Sequence, residues 1–117
     1  MAWYGQGVET NGPFQQVSVN LAQLNGNHFL VLADRYSGWP EVEKLAHLDT
    51  HTIVKVLERI FETFGIPERI QTDGGLQFRG DFPSWCIELG MVHKQTSPYH
   101  PEANEHVEQA VGAIKNY

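Results

Sequence analysis

The sequence predicts an α/β domain built on a five-stranded mixed sheet flanked by helices. Three observations carry this prediction: one run alternates apolar and polar residues, a second is continuously apolar, and a third repeats apolar residues with helical spacing. The predicted order is β-β-β-α-β-α-β-α, in which helical connections permit parallel pairing and a tight turn permits antiparallel pairing. The 117 residues are expected to form one domain over residues 13–117, after a flexible lead-in over residues 1–12.

The first strands are predicted from side-chain alternation and turn residues. Val17, Val19 and Leu21 alternate with polar side chains, which predicts a strand over residues 14–24. The Asn25-Gly26 pair that follows is a strong signal for a two-residue hairpin turn. Two more strands are expected after this turn, over residues 28–34 and 39–44.

One long amphipathic helix is predicted between Asp49 and Gly65. Asp49 or Thr50 can cap its N-terminus. Gly65 is expected to end the helix, and Pro67 prevents its return. The apolar residues that recur with helical spacing are Ile53, Leu57, Ile60, Phe61 and Phe64.

The second half of the chain is expected to supply two strands and two helices. Residues 69–72 are predicted to form a short strand that delivers Asp73 to its C-terminal end, where ligands bind in open α/β sheets. The elements expected beyond it are a helix over residues 81–89, a strand over 91–95 and a last helix over 104–117.

Composition excludes several classes of protein. No apolar run approaches the roughly 18 residues of a membrane span, so no membrane partner is expected. The single Cys86 cannot form an internal disulfide or complete a zinc finger with the six histidines. We expect Cys86 to be a small buried hydrophobic residue. Trp39 and Trp85 are expected to be core or cover residues. The protein is expected to be intracellular. The net charge of −6, with eight scattered Lys and Arg residues, argues against strong autonomous DNA binding.

Two acidic residues carry the most specific chemical signal. Asp73 lies in a Thr-Asp-Gly-Gly motif, and Glu108 lies 35 positions later in the predicted last helix. Two-metal phosphoryl transfer requires a dense cluster of such carboxylates. Taken alone, however, an Asp-Gly-Gly sequence is more often a turn, and a helical glutamate is more often a solvated side chain.

Five stretches around these residues resemble one protein family. The chain is similar to the catalytic core of retroviral and long-terminal-repeat retrotransposon integrases, nearest to the Ty3/gypsy type, over residues 12–117. The resemblance implies the ribonuclease H-like fold. The stretches that match in order and spacing are residues 12–17, 31–42, 64–68, 72–78 and 97–108.

The resemblance implies three acidic side chains that hold two Mg²⁺ or Mn²⁺ ions for 3′-end processing and strand transfer of DNA. The matching positions are Asn20, Asp73 and Glu108, so Asp73 and Glu108 are the expected metal ligands. Asn20 departs from the pattern, because a neutral carboxamide cannot bridge two cations as a carboxylate can. Asp34 on the next strand is not expected to replace the missing acid.

The resemblance also implies where DNA would be contacted. Tyr99 and His100 could stack on a DNA end, with a proline-flanked turn as the alternative, and Lys115 is the expected phosphate contact. Further departures from the family pattern are expected to weaken this contact. They are Gly74 in place of Asn, Glu105 in place of Gly, Gln109 in place of a basic residue and Gly112 in place of Lys.

Two functional hypotheses follow. The preferred one is a catalytically inactive core of retroelement origin, domesticated or decayed and located in the nucleus, that binds a protein partner or forms a homodimer, or binds DNA weakly. The alternative is an active integrase that tolerates Asn20, or one silenced deliberately by an Asp-to-Asn exchange. Another ribonuclease H-like nuclease or transposase is disfavoured by the integrase-like stretches at residues 39–42 and 97–101.

Overall fold

The fold is described for residues 12–95 and 105–110 in a computed structural model. The strands in this part of the chain are β1 (Gln16–Leu24), β2 (Asn27–Asp34), β3 (Pro40–Leu45), β4 (Arg69–Thr72) and β5 (Val92–Gln95). The helices are α1 (Thr50–Phe64), α2 (Asp81–Glu88), a one-turn 3₁₀ helix (Leu76–Phe78) and a helical segment over residues 105–110.

The strands form one mixed sheet in the order β3-β2-β1-β4-β5. β2 pairs antiparallel with β1 and β3, whereas β4 pairs parallel with β1 and β5. Asn25 and Gly26 both have positive φ, 54° and 79°, as a two-residue hairpin turn that matches the strand twist requires. The predicted five-stranded mixed sheet is therefore confirmed.

The strand boundaries differ from the predicted ones by one or two residues. β1 begins at Gln16 because Phe14 has a φ of 62°, which takes the backbone out of the extended region. β3 begins only at Pro40, which pairs with Ala33 at the end of the β2–β3 register. The 3₁₀ helix was not predicted, since three residues are too few to show a period.

Helices α1 and α2 cover one face of the sheet and bury the larger apolar cluster. Val17 and Val19 of β1 point to this face, as alternation predicts, and are fully buried. Phe78 and Phe82 meet edge to face, with ring centroids 5.1 Å apart. Burial of such side chains contributes about 1.5–3 kcal/mol each and fixes the sheet against the helices.

The opposite face of the sheet is covered by the helical segment 105–110. Val107 is buried there against Ala22 of β1 and against Phe29 and Val31 of β2. Even-numbered residues of β1 and odd-numbered residues of β2 point to this face. Residues 105–110 of the last predicted helix therefore pack over the β1–β2 pair.

Helix α1 has the predicted caps. The Asp49 carboxylate accepts a hydrogen bond from the Thr52 amide at 2.8 Å, and this bond lowers the pKa of Asp49. Thr50 instead donates its hydroxyl to the Gln77 carbonyl at 2.7 Å, which ties α1 to the 3₁₀ helix. Gly65 follows the last turn with a φ of 92°, a conformation that favours glycine.

The aromatic and sulfur side chains correct one prediction and confirm two. Trp85 packs as expected, with its ring stacked on Phe61 at a centroid distance of 6.0 Å. Cys86 is fully buried, and burial raises the pKa of its thiol to about 12. Trp39 is not a core residue: 62% of it is exposed, because it precedes the edge strand β3. Within the described residues no helix has the length and apolar character needed to cross a bilayer.

The half-buried His93 on β5 predicts a loss of stability at acid pH. Its Nε2 lies 2.7 Å from the Thr72 hydroxyl, its ring meets Phe82 edge to face, and desolvation lowers its pKa. His93 therefore binds a proton more tightly in the unfolded chain than in the folded protein. The contribution of neutral His93 to the free energy of unfolding is therefore fully present above the unfolded pKa of about 6.5. It is lost as pH decreases from there towards the lower pKa of the folded protein.

Urea unfolding at about pH 7 and about pH 5.5 measures this dependence. We expect His93→Gln to reduce the difference between the two free energies of unfolding. The exposed His51 supplies the matched control, because His51→Gln should retain the wild-type difference. An equal effect of the two substitutions would refute the assignment to His93.

Candidate functional site

The candidate site begins at Asn20 in the middle of β1. Asn20 pairs with Val31 of β2 and shares its face of the sheet with Ala22. Both Ala22 and Val31 contact the buried Val107 of the helical segment. Asn20 is half-buried, and its carboxamide lies on the face of the sheet against which this helical segment packs.

Asp73 lies beside Asn20 at the C-terminal end of β4. The parallel register pairs Ser18 with Gln71 and Val19 with Thr72. Continued by one residue, it sets Asp73 next to Asn20 on the same face, with the strands about 4.8 Å apart. The sequence-based placement of Asp73 at the strand end is therefore seen in the structure.

The loop after β4 fixes the Asp73 carboxylate. Its Oδ1 accepts a hydrogen bond from the Gly75 amide at 2.8 Å, which forms a local turn. A Cβ atom at Gly75 would lie 3.0 Å from the same Oδ1 and 2.9 Å from Gln77 Oε1. Gly75 therefore allows the backbone to approach the carboxylate, a role that the sequence did not reveal.

This close approach predicts different effects at the two neighbouring glycines. We expect Gly75→Ala to lower the free energy of unfolding by about 1 kcal/mol through local overpacking against Asp73. Gly74→Ala is the matched control, since its Cβ would meet only Arg79 Nη2 at an ordinary 3.9 Å. Thermal unfolding of both variants measures the difference, and equal stabilities would contradict the crowding at Gly75.

Glu108 is exposed on the helical segment, next to the buried Val107. Because Val107 packs over the β1–β2 pair, the helix brings Glu108 to the side of the sheet that carries Asn20 and Asp73. The predicted residues Tyr99, His100 and Lys115 lie outside the described residues, as does Gly112.

Asp34 is held away from this site by its own hydrogen bonds. It is 5% exposed and belongs to the opposite face of the sheet, as its place in β2 requires. Its Oδ1 accepts from the Phe14 and Tyr36 amides at 2.9 and 3.2 Å. Its Oδ2 accepts from the Ser37 amide and hydroxyl at 3.3 and 2.7 Å. Asp34 is a turn-organising carboxylate, and it cannot replace the acid absent at Asn20.

Two basic residues flank the site, and neither was predicted from the sequence to do so. Lys94 of β5 pairs with Gln71, which places it on the same face as Asn20. Arg79 approaches the loop of Asp73, since its Nη2 lies near Gly74. The strand register is the signal that identifies Lys94, and it becomes visible only once the sheet order is known.

The donors at this site are a poor fit for two divalent cations. Asn20 offers a neutral oxygen, and one oxygen of Asp73 already accepts the Gly75 amide. Within residues 12–95 and 105–110, no three His, Cys, Asp or Glu side chains are placed to hold a metal ion. A pair of ions about 3.5–4 Å apart requires a denser cluster of carboxylates than Asp73 and Glu108 supply.

Comparison with protein families gives one match that covers most of the chain. The sequence model of the family described as "Integrase core domain" matches residues 12–101. An uncharacterized protein of Caenorhabditis elegans is 31% identical over 105 residues, which are 88% of this chain and 8% of that protein. The Pol polyprotein of radiation murine leukemia virus (strain Kaplan) is 35% identical over 91 residues, 75% of this chain and 16% of the polyprotein. The chain thus spans less than a fifth of the length of these relatives.

Solved structures show the same fold. The HTLV-2 integrase catalytic core domain, determined as a dimer in complex with magnesium, has a TM-score of 0.71 and 18% identity over 92% of this chain and 70% of that one. The intasome of simian T-cell lymphotropic virus, in complex with the PP2A regulatory subunit B56 gamma, has a TM-score of 0.70 and 21% identity. That match covers 89% of this chain and 39% of the other. The predicted ribonuclease H-like architecture is therefore confirmed.

Proposed function

The chain belongs to the integrase core domain family, of the retroviral type, and we propose that it is a catalytically inactive member whose fold serves to bind a protein. The observation that carries the proposal is Asn20, a neutral side chain next to Asp73 where the family chemistry needs a second carboxylate. The chemistry that the family's Mg²⁺ supplies when bound is activation of a water or 3′-hydroxyl and stabilisation of the leaving oxygen. Asp73 and Glu108 are the residues of this chain that would hold such an ion, and Asn20 beside Asp73 would offer it only a neutral oxygen.

The energetic consequence of Asn20 is large. One negative charge is removed from a site that would face four positive charges. A loss of about 3–5 kcal/mol in transition-state stabilisation lowers a rate by roughly 10²–10⁴. Asp34 supports the proposal, because its carboxylate is committed to the turn on the other face of the sheet.

Two side chains of the helical segment add to this argument. Glu105 and Gln109 are both exposed, at positions where the family has glycine and a basic residue. A carboxylate at 105 repels phosphate, and an amide at 109 does not attract it. With a net charge of −6, the chain is poorly suited to strong DNA binding.

Weak nucleic-acid binding is a second candidate function. It is favoured by Lys94 and Arg79, which flank the loop of Asp73 on the site's side of the sheet. Two phosphate contacts give weak, strongly salt-dependent binding. We place the protein in the nucleus under either function, since this is where a retroelement-derived core meets DNA and its protein partners.

The alternative is an active or deliberately silenced DNA integrase. It would retain a Mg²⁺ or Mn²⁺ site that uses Asp73 and Glu108. The substitutions at Gly74, Glu105 and Gln109 weigh against silencing by design, because a single exchange at Asn20 would have been sufficient.

Metal titration separates these functions. Mg²⁺ and Mn²⁺ are titrated into the wild-type chain, with calorimetry and thermal unfolding as readouts and Asp73→Asn as the control. We expect no Asp73-dependent binding up to about 10–20 mM, a concentration at which even weak carboxylate sites respond. Millimolar or tighter binding that disappears in Asp73→Asn would overturn the assignment as an inactive member and favour the DNA integrase.

A further inference from the structure

A cleft with aromatic walls lies between β3 and the C-terminal end of α1. It has a volume of about 360 Å³ and includes Phe14, Trp39 and Phe64 in its lining. Trp39 is 62% exposed and Phe64 is 44% exposed, so their rings face solvent. The Phe14 and Phe64 rings stack at a centroid distance of 4.9 Å, and the Trp39 indole donates to Glu41 Oε2 at 2.6 Å. These contacts hold the exposed rings in place.

A second cleft of about 410 Å³ continues from the first and is acidic. The two share Glu41 and Phe64, and Glu43 and Glu62 line the second. Arg59 contributes the one positive charge in this lining, and its Nη2 lies 3.7 Å from Glu43 Oε1. Three carboxylates and one guanidinium leave a net negative charge. We name the joint surface of Phe14, Trp39, Phe64, Glu41, Glu43 and Glu62 the aromatic–acidic groove.

The groove lies on the opposite side of the sheet from Asn20 and Asp73. Glu41 and Glu43 alternate along β3 with Val42, which packs on the face that carries Val107. Glu43 instead meets Arg59 of α1, on the other face. A molecule in the groove would therefore not obstruct the candidate site, and DNA is excluded as the occupant by charge repulsion.

We propose that the aromatic–acidic groove binds an arginine-bearing segment of a partner protein. A guanidinium can stack its plane on Trp39 or Phe64 and at the same time donate hydrogen bonds to Glu41 or Glu62. Lysine has no planar group that stacks in this way, so arginine fits the combination better. An apolar neighbour of the arginine would cover the remaining ring surface.

Charge complementarity selects the occupant. Residues 1–11 of this chain contain no Lys or Arg, so they do not supply the cation that the groove requires. The inference rests on the protein-association role proposed above, but it does not depend on the loss of catalysis. If the groove does not bind the peptide, the expected result of the metal titration is unchanged. If the chain does bind a metal ion, the expected peptide binding is unchanged.

The test uses the ¹⁵N-labelled chain of 117 residues and the blocked dipeptide N-acetyl-leucyl-arginine amide. Backbone amide resonances of β3, which remain observable in every variant, report binding, and the peptide with neutral citrulline in place of arginine is the probe control. We expect saturable binding at a millimolar dissociation constant, weakened about tenfold by citrulline, by Trp39→Ala and by Glu62→Gln. Ile87→Ala and Glu88→Gln, which alter exposed residues on α2, are expected to leave the affinity unchanged.

Four results would overturn the proposal. Equal binding of the citrulline peptide would show that charge is not recognised, and equal weakening by Glu88→Gln would show that attraction is non-specific. Absence of saturable binding would also refute it. A Trp39 indole that already contacts residues 1–11 or a second copy in the free protein would assign the groove to that occupant instead.

Discussion

Asp34→Ala is expected to lower the free energy of unfolding by about 3–4 kcal/mol, the largest loss for any single polar side chain discussed above. The Asp34 carboxylate accepts four hydrogen bonds, from Phe14, Tyr36 and Ser37. They join the start of β1 to the turn between β2 and β3. Without the carboxylate, three backbone amides lose their acceptor in a largely buried position.

A matched control is available in the same chain. Asp49 also accepts a backbone amide, but at the exposed N-terminus of α1. Asp49→Ala should therefore lower the free energy of unfolding much less than Asp34→Ala does. Urea unfolding measures both losses. A larger loss for Asp34→Ala than for Asp49→Ala, with an intermediate loss for Asp34→Asn, would support the turn-organising role. Equal losses at Asp34 and Asp49 would show that the Asp34 network adds little.

Asn20→Asp is expected to improve Mn²⁺ affinity about tenfold or more, which brings binding into a measurable range. The new carboxylate would lie beside Asp73 and supply the missing negative oxygen ligand. The double variant Asn20→Asp, Asp73→Asn retains the wild-type charge and should lose the gain. Calorimetry compares the three chains, and Mn²⁺ binding to Asn20→Asp that is as undetectable as in the wild type would show that the two positions do not share an ion.

The same substitution should reduce stability when no metal is present. Two carboxylates on neighbouring strands repel each other, at a cost of about 1 kcal/mol near neutral pH. Mn²⁺ should recover this loss, because it binds the folded state alone. A variant as stable as the wild type in metal-free buffer would place the new carboxylate away from Asp73.

Much of the fold could be predicted from local patterns in the sequence. Alternation in β1, the Asn25-Gly26 turn and the caps of α1 each act within a few residues, and the structure confirms them. The position of Asp73 was predictable for the same reason, because it depends only on where β4 ends. The exposure of Trp39 was not predictable, since it depends on β3 being the edge strand.

The finer features of the site depend on contacts between distant parts of the chain. The approach of Gly75 to Asp73 and the placement of Lys94 beside Gln71 require the loop conformation and the strand register. Asp34 could be dismissed as a metal ligand from the sequence, but its turn-organising role required the position of Phe14, 20 residues earlier. The aromatic–acidic groove likewise joins residues that only the packing of α1 against β3 brings together.

Plasmid nicking by Asn20→Asp in Mn²⁺ shows whether restoring one carboxylate is enough to give this chain catalytic activity. Supercoiled plasmid is a substrate that does not depend on knowing a particular DNA end, and the double variant Asn20→Asp, Asp73→Asn sets the background. We expect Asn20→Asp to bind Mn²⁺ yet to nick no more plasmid than the double variant, because Glu105 and Gln109 still weaken phosphate contact. Strong Mn²⁺-dependent nicking or strand joining that Asp73→Asn abolishes would contradict it and identify the chain as an integrase silenced at a single position.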